Sequence, residues 1–148
     1  MFRALLIAAL VCIATTARAG DYITTESPDD VQTTFDRLQK ALGNRGLKAF
    51  VEVDHAKGAV NVGQTLAPSK VLIFGNPKLG TALMQINPEI GVDLPLKMSV
   101  WQAADGRTRV TYRSADSLAA AHGMDPNAPP FKQMTLALAA LAKAAAGM

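Results

Sequence analysis

The chain has 148 residues, 49% of them apolar and 18% charged, with a formal net charge of +3. That length suits one domain and is too short for two separate cores. The composition excludes a disordered tail, a collagen and a coiled coil.

Residues 1–19 read as a cleavable export signal. Met1-Phe2-Arg3 is a short positive start, Ala4 to Ile13 is an unbroken apolar run, and Ala17-Arg18-Ala19 has the small-x-small pattern of a cleavage site. The run is shorter than the about 20 residues that span a bilayer. Val11 stands before Cys12, where lipid attachment would need a small residue. The expected product is a periplasmic single domain, 20–148, beginning at Gly20, with no membrane span after cleavage. Cys12 is the single cysteine and leaves with the signal, so thiol chemistry, Cys-bound zinc and disulfides are excluded from the mature domain. Arg3 and Arg18 leave too, which takes the charge from +3 to +1. No electrostatic case for nucleic acid remains.

Tyr22 to Glu26 reads as a short strand. Ser27-Pro28-Asp29-Asp30 starts a helix, with Ser27 as the cap, Pro28 in the first turn and the aspartates at the positive end of the dipole. Val31, Phe35, Leu38 and Leu42 recur at helical spacing, and Gly43 or Gly46 ends the helix. Lys48 to Asp54 reads as a strand with Ala49, Val51 and Val53 on one face. Val71 to Phe74 is a continuous apolar run, as in a central strand.

Two alternating runs flank Asp105-Gly106, the strongest hairpin signal in the chain. The first carries Met98 and Val100 against Ser99 and Trp101. The second carries Thr108, Val110 and Tyr112 against Arg107, Arg109, Thr111 and Arg113. Ser114 to His122 reads as a short helix stopped by Gly123, and Asp125 to Pro130 as a loop. A last helix from Phe131 puts Phe131, Met134, Leu138, Leu141 and Ala145 on one stripe. Its opposite side is mostly alanine, so it is expected to be covered on more than one side. Strands grouped after one helix, rather than alternating with helices, predict an α+β fold: one mostly antiparallel sheet with helices packed on one face.

Four segments stand out: VDHAKGA from Val53, LAPSKVLIFGNPKLGTALM from Leu66, VDLPLKMSVW from Val92 and YRSADSLAAAHG from Tyr112. Together they resemble the domain-of-unknown-function 302 family, from roughly Val31 to Ala144, with FGNPKLGTALM the most specific part. The departures are Val92 for the usual leucine, Ala82 for proline, and Gln102-Ala103 for an acidic pair. The resemblance implies a β-α-β4-α arrangement and often a dimer. It brings no established reaction.

On its own residues, FGNPKLGTALM is an apolar strand, a Gly75-Asn76-Pro77 turn, and a helix opening at Gly80-Thr81. Such a loop with Lys78 suits a small polar or anionic ligand held on backbone N–H groups, or else a rigid turn. It is not a nucleotide P-loop, because Thr81 stands where the lysine is required. Asn76 is expected to be buried with its amide bonded to backbone.

His55 and His122 are the two histidines. Asp54-His55 at a strand end offers a titratable pair. The set is too thin for zinc, so no metal or cofactor is expected. A ligand site would join Asp54, His55, Asn76, Lys78 and Thr81, with His122 added from the later helix. An enzyme of hydrolase or lyase type would use the same Asp/His/Lys cluster around the Gly75–Thr81 turn. Asp93 is expected in a local turn, and Arg107, Arg109 and Arg113 on a solvated sheet face. The alanine face of the last helix, with Met98 and Val100, is the expected surface of a homodimer.

Overall fold

The computed structural model describes residues 21–148. The expected export signal lies outside the described residues. The elements are β1 (Tyr22–Ser27), α1 (Val31–Gly43), β2 (Lys48–Asp54), α2 (His55–Asn61), β3 (Ser69–Gly75), α3 (Pro77–Ile86), a 3-10 turn (Pro88–Val92), β4 (Leu96–Gln102), β5 (Thr108–Arg113), α4 (Ala115–Ala121) and α5 (Pro129–Ala145). The strands form one sheet in the order β1-β5-β4-β3-β2. All four pairings are antiparallel. The α+β expectation holds, with α2, α3 and α4 added to the β-α-β4-α frame.

One sheet face carries Leu72, Phe74, Met98, Val100, Val110 and Tyr112, all buried. The α1 stripe of Val31, Phe35, Leu38 and Leu42 packs there with Phe131, Met134, Leu138 and Leu141 of α5. Ala142, Ala145 and the capping Ala146 extend that buried stripe, whereas on the opposite side of α5 Leu136 is exposed and Ala139 and Ala140 are half-buried. Met98 and Val100, both wholly buried, belong to this core and not to a dimer contact. Of the surface expected to pair two chains, Met98 and Val100 are thus used within one chain, while the outer side of α5 stays accessible.

The start of α1 differs from its expected form. Ser27 is the last residue of β1, and its hydroxyl bonds that of Thr34 inside the core. Asp30 is the cap instead, accepting the Thr33 N–H at 2.8 Å. β2 also differs. The register shifts between Ala49 and Val51, so Ala49 stands opposite Phe74 while Val51 and Val53 stand opposite Ile73 and Val71. The bulge at Phe50 thereby turns Ala49 to the core side and the two valines to the other. Gly106 takes φ +80° in the β4–β5 turn, a conformation that favours glycine.

Opposite residues in an antiparallel pair share a face. The second face of the sheet therefore carries Val51, Val53, Val71, Ile73, Ser99, Trp101, Thr111 and Thr24. The described helices leave it open: Val51 is 50% exposed, and Val53, Val71, Ile73 and Trp101 are half-buried. Among the described residues no helix is long and apolar enough to cross a membrane.

Candidate functional site

The sheet has two ends, and the residues singled out in the sequence divide between them. Asp54 pairs with Lys70, whereas Gly75 pairs with Lys48 at the other end of the same two strands. Seven residues at ~3.3 Å each separate the ends by roughly 20 Å. Asp54 and His55 therefore do not meet Asn76, Lys78, Thr81 or His122.

Asp54 is the cap of α2 and accepts the Lys57 N–H at 2.9 Å. His55 is the exposed first residue of that helix. This is the ordinary work of aspartate at an N-cap; Asp54 also lines a shallow surface hollow with Lys70, and His55 does not join it there. α2 itself escaped the sequence reading. It has no buried residue and hence no apolar period, and Asp54 was its one signal.

The Gly75 end holds two features. The first is a cleft of about 350 Å³ between α3, the Leu94–Leu96 segment, Phe50 of the β2 bulge and Met134 of α5. Asn76 caps α3: its side-chain oxygen accepts the N–H of Lys78 at 3.0 Å and of Leu79 at 3.4 Å. Pro77 then occupies the first turn, where its missing N–H costs nothing. So α3 opens at Pro77 and not at Gly80. Asn76 is exposed, not buried, although its amide does bond backbone as expected. Asn76 and Thr81 both line the cleft, as do the backbones of Gly75 and Gly80; the Lys78 side chain does not. The helix lies close enough to the wall that a Cβ on Gly80 would sit 3.9 Å from Leu94.

The second feature is a part-buried polar node next to that wall. Asp93 Oδ2 lies 2.7 Å from His122 Nε2, and Asp93 Oδ1 lies 2.9 Å from Arg113 Nη1. Arg113 Nε donates to Ser117 Oγ at 3.2 Å, and Asn87 donates its amide to the His122 carbonyl at 3.2 Å. The His122 side chain is only 6% exposed, and its Nδ1 is buried without a hydrogen-bond partner among the described residues. Since a carboxylate can only accept, the contact requires a hydrogen on Nε2 to point at Asp93. Burial pushes the Asp93 carboxyl up, but the His122 and Arg113 contacts outweigh it and hold it below the usual carboxylate range. A ring so enclosed ties α4 and β5 to the segment before Leu94-Pro95 and offers no exposed base.

The expectations for His122 and Asp93 are corrected accordingly. His122 sits beside the C-terminal end of α3, about 15 Å from Asn76 by the helix rise. Asp93 makes a long-range contact and not a local turn bond. The sequence carried no sign of this meeting beyond the presence of both residues. Arg107 and Arg109 pair with Glu26 and Asp105 at the far end of β5, which leaves no free cationic patch there. Among the described residues, no group of three or more His, Cys, Asp or Glu is placed to hold a metal ion.

Residues 23–142 match the family model described as domain of unknown function DUF302. The chain belongs to that family. It is 34% identical over 126 residues to the fluoride-specific ion channel FluC 1 of Brucella suis biovar 1, covering 84% of this chain and 50% of that protein. The fluoride-specific ion channel FluC 2 of Brucella melitensis biotype 1 is likewise 34% identical over 126 residues, covering 84% and 47%. The chain thus spans about half the length of the curated relatives it matches. The crystal structure of an uncharacterized conserved DUF302 protein from Bacillus stearothermophilus shares the fold, with a TM-score of 0.77 at 21% identity. That match covers 86% of this chain and 99% of the other.

Proposed function

We propose that this DUF302 domain is an exported binding module whose ligand sits in the cleft between α3 and the Leu94–Leu96 segment. The cleft itself carries the reading. Its volume of about 350 Å³ lies within the ~300–1,000 Å³ of small-molecule sites. Its lining is mainly apolar, with Phe50, Met84, Pro95 and Met134 among its walls, and Asn76 and Thr81 are its two residues with polar side chains. The channel names belong to proteins about twice as long, and ion conduction is no part of the proposal.

Native mass spectrometry of the protein recovered from the periplasm tests the reading. The expected result is a chain beginning at Gly20 that retains a small molecule. Gly80→Leu fills the cleft beside Leu94, and leucine also favours a helix more than glycine does. That variant is expected to fold and to lose the molecule. Retention by Gly80→Leu overturns the site, and an intact Met1 terminus overturns export.

The open sheet face supports a second element of the reading, a homodimer. Val51, Val53, Val71 and Ile73 form an apolar patch across two strands, bordered on β4 by Lys97 and Ser99, and a second copy offers the same patch in return.

A further inference from the structure

We infer that the cleft selects an uncharged, mainly apolar molecule bearing one hydrogen-bond acceptor, such as a ketone or ester; this rests on the cleft being the binding site. The inference replaces the anionic ligand expected from Lys78 and the glycine turn.

The lining decides the charge. No acidic or basic residue lines the cleft. An ion placed there would lose water and gain no counter-charge from the lining, with Lys48 outside it, 5.6 Å from the centre of the Phe50 ring, so a neutral body binds at lower cost. The walls of Phe50, Leu79, Leu83, Met84, Leu94 and Pro95 suit that body.

The two polar side chains decide the remaining group. The Asn76 oxygen is already occupied by the Lys78 and Leu79 N–H groups. Its amide nitrogen makes no hydrogen bond among the described residues and keeps both N–H donors. The Thr81 hydroxyl is likewise unbonded there. The Asn76 amide nitrogen thus presents donors only, the Thr81 hydroxyl can donate as well as accept, and an acceptor is the one group that suits both. The oxygen's bonds to the helix N-terminus also fix the direction of the amide, so the donor is oriented before any ligand arrives.

Asn76→Asp separates these roles. A carboxylate caps a helix as well as an asparagine does, yet it has no donor. The probes are acetophenone, ethylbenzene and benzoate: one flat ring with an acceptor, without one, and with a charge. Binding to the purified protein is read from the shifts of the Gly75 and Gly80 amide resonances. Acetophenone is expected to bind more tightly than ethylbenzene, and benzoate more weakly than both. In Asn76→Asp, acetophenone is expected to weaken about tenfold while ethylbenzene stays within about twofold, as loss of one hydrogen bond requires. Thr81→Val repeats the test without adding a charge. Benzoate binding as tightly as acetophenone would overturn the inference and leave the cleft as a site. So would unchanged acetophenone affinity in both variants. Failure of all three probes to shift Gly75 or Gly80 would overturn the cleft itself.

Discussion

Asp93 and His122 stand 29 positions apart in the chain and 2.7 Å apart in space. Their bond joins the loop before β4 to the end of α4, and Arg113 on β5 holds the other carboxylate oxygen. Leu94, Pro95 and Leu96, directly after Asp93, form one wall of the cleft. The node therefore positions the cleft without touching what enters it. His122→Ala removes a hydrogen bond to the part-buried Asp93 carboxylate, which costs about 1.5 kcal/mol, the low end for a bond to a charged group. Chemical denaturation is expected to show a loss of that size, together with faster amide exchange at Leu94 and Leu96. An unchanged midpoint with unchanged exchange would show that Arg113 alone holds Asp93.

Acid should expose the same contact. Asp93 is held below the usual carboxylate range in the fold and titrates near ~3.9 when unfolded. Its contribution is therefore fully present above the unfolded value and is lost as pH falls through the folded one. The wild type is expected to lose stability more steeply than Asp93→Asn between about pH 5 and pH 3. Parallel curves for the two proteins would contradict the assignment.

The elements that came out of the sequence are those with a period. The α1 stripe, the Asp105-Gly106 hairpin and the α5 stripe each repeat an apolar residue at the spacing of their structure, and each is found in the core. What the sequence hid has no period. α2 buries nothing. The start of α3 rests on one capping residue, and Asn76-Pro77 reads equally well as a turn. Asn87-Pro88 repeats the same device at the 3-10 turn, where Asn87 accepts the Glu89 N–H at 3.0 Å. The site was hidden for a different reason. Which strand ends meet depends on strand direction, and the antiparallel pairing of β2 with β3 puts their last residues, Asp54 and Gly75, at opposite ends. The Asp93–His122 contact exists only once β4, β5 and α4 have assembled.

The capping role of Asn76 has its own signature. Because Asn76 is exposed, its substitution leaves no buried amide unpaired. Asn76→Ala should cost about 1 kcal/mol, the usual value for a lost cap. Asn76→Asp should melt within a degree or two of the wild type, since the carboxylate accepts the same Lys78 and Leu79 N–H groups. A large loss in Asn76→Asp would mean that the amide nitrogen also holds the fold.

The homodimer is expected to form through the open sheet face and not through α5. The outer side of α5 exposes one large apolar residue, Leu136, among half-buried alanines, while on the sheet Val51 is 50% exposed beside half-buried Val53, Val71 and Ile73. Two such faces stacked about 10 Å apart would bury these side chains against each other, as the sheets of a sandwich do. A lysine placed there has no carboxylate opposite it on Ile73 or Val71 and would meet its own copy across the pair. Val51→Lys is therefore expected to give a monomer by light scattering at micromolar concentration, with the melting of the single chain unchanged. Val51 is already exposed in that chain, so its loss removes little from the core. Leu136→Lys, on the exposed side of α5, is expected to leave the mass of a dimer. A monomeric Leu136→Lys beside a dimeric Val51→Lys would move the interface to the helix.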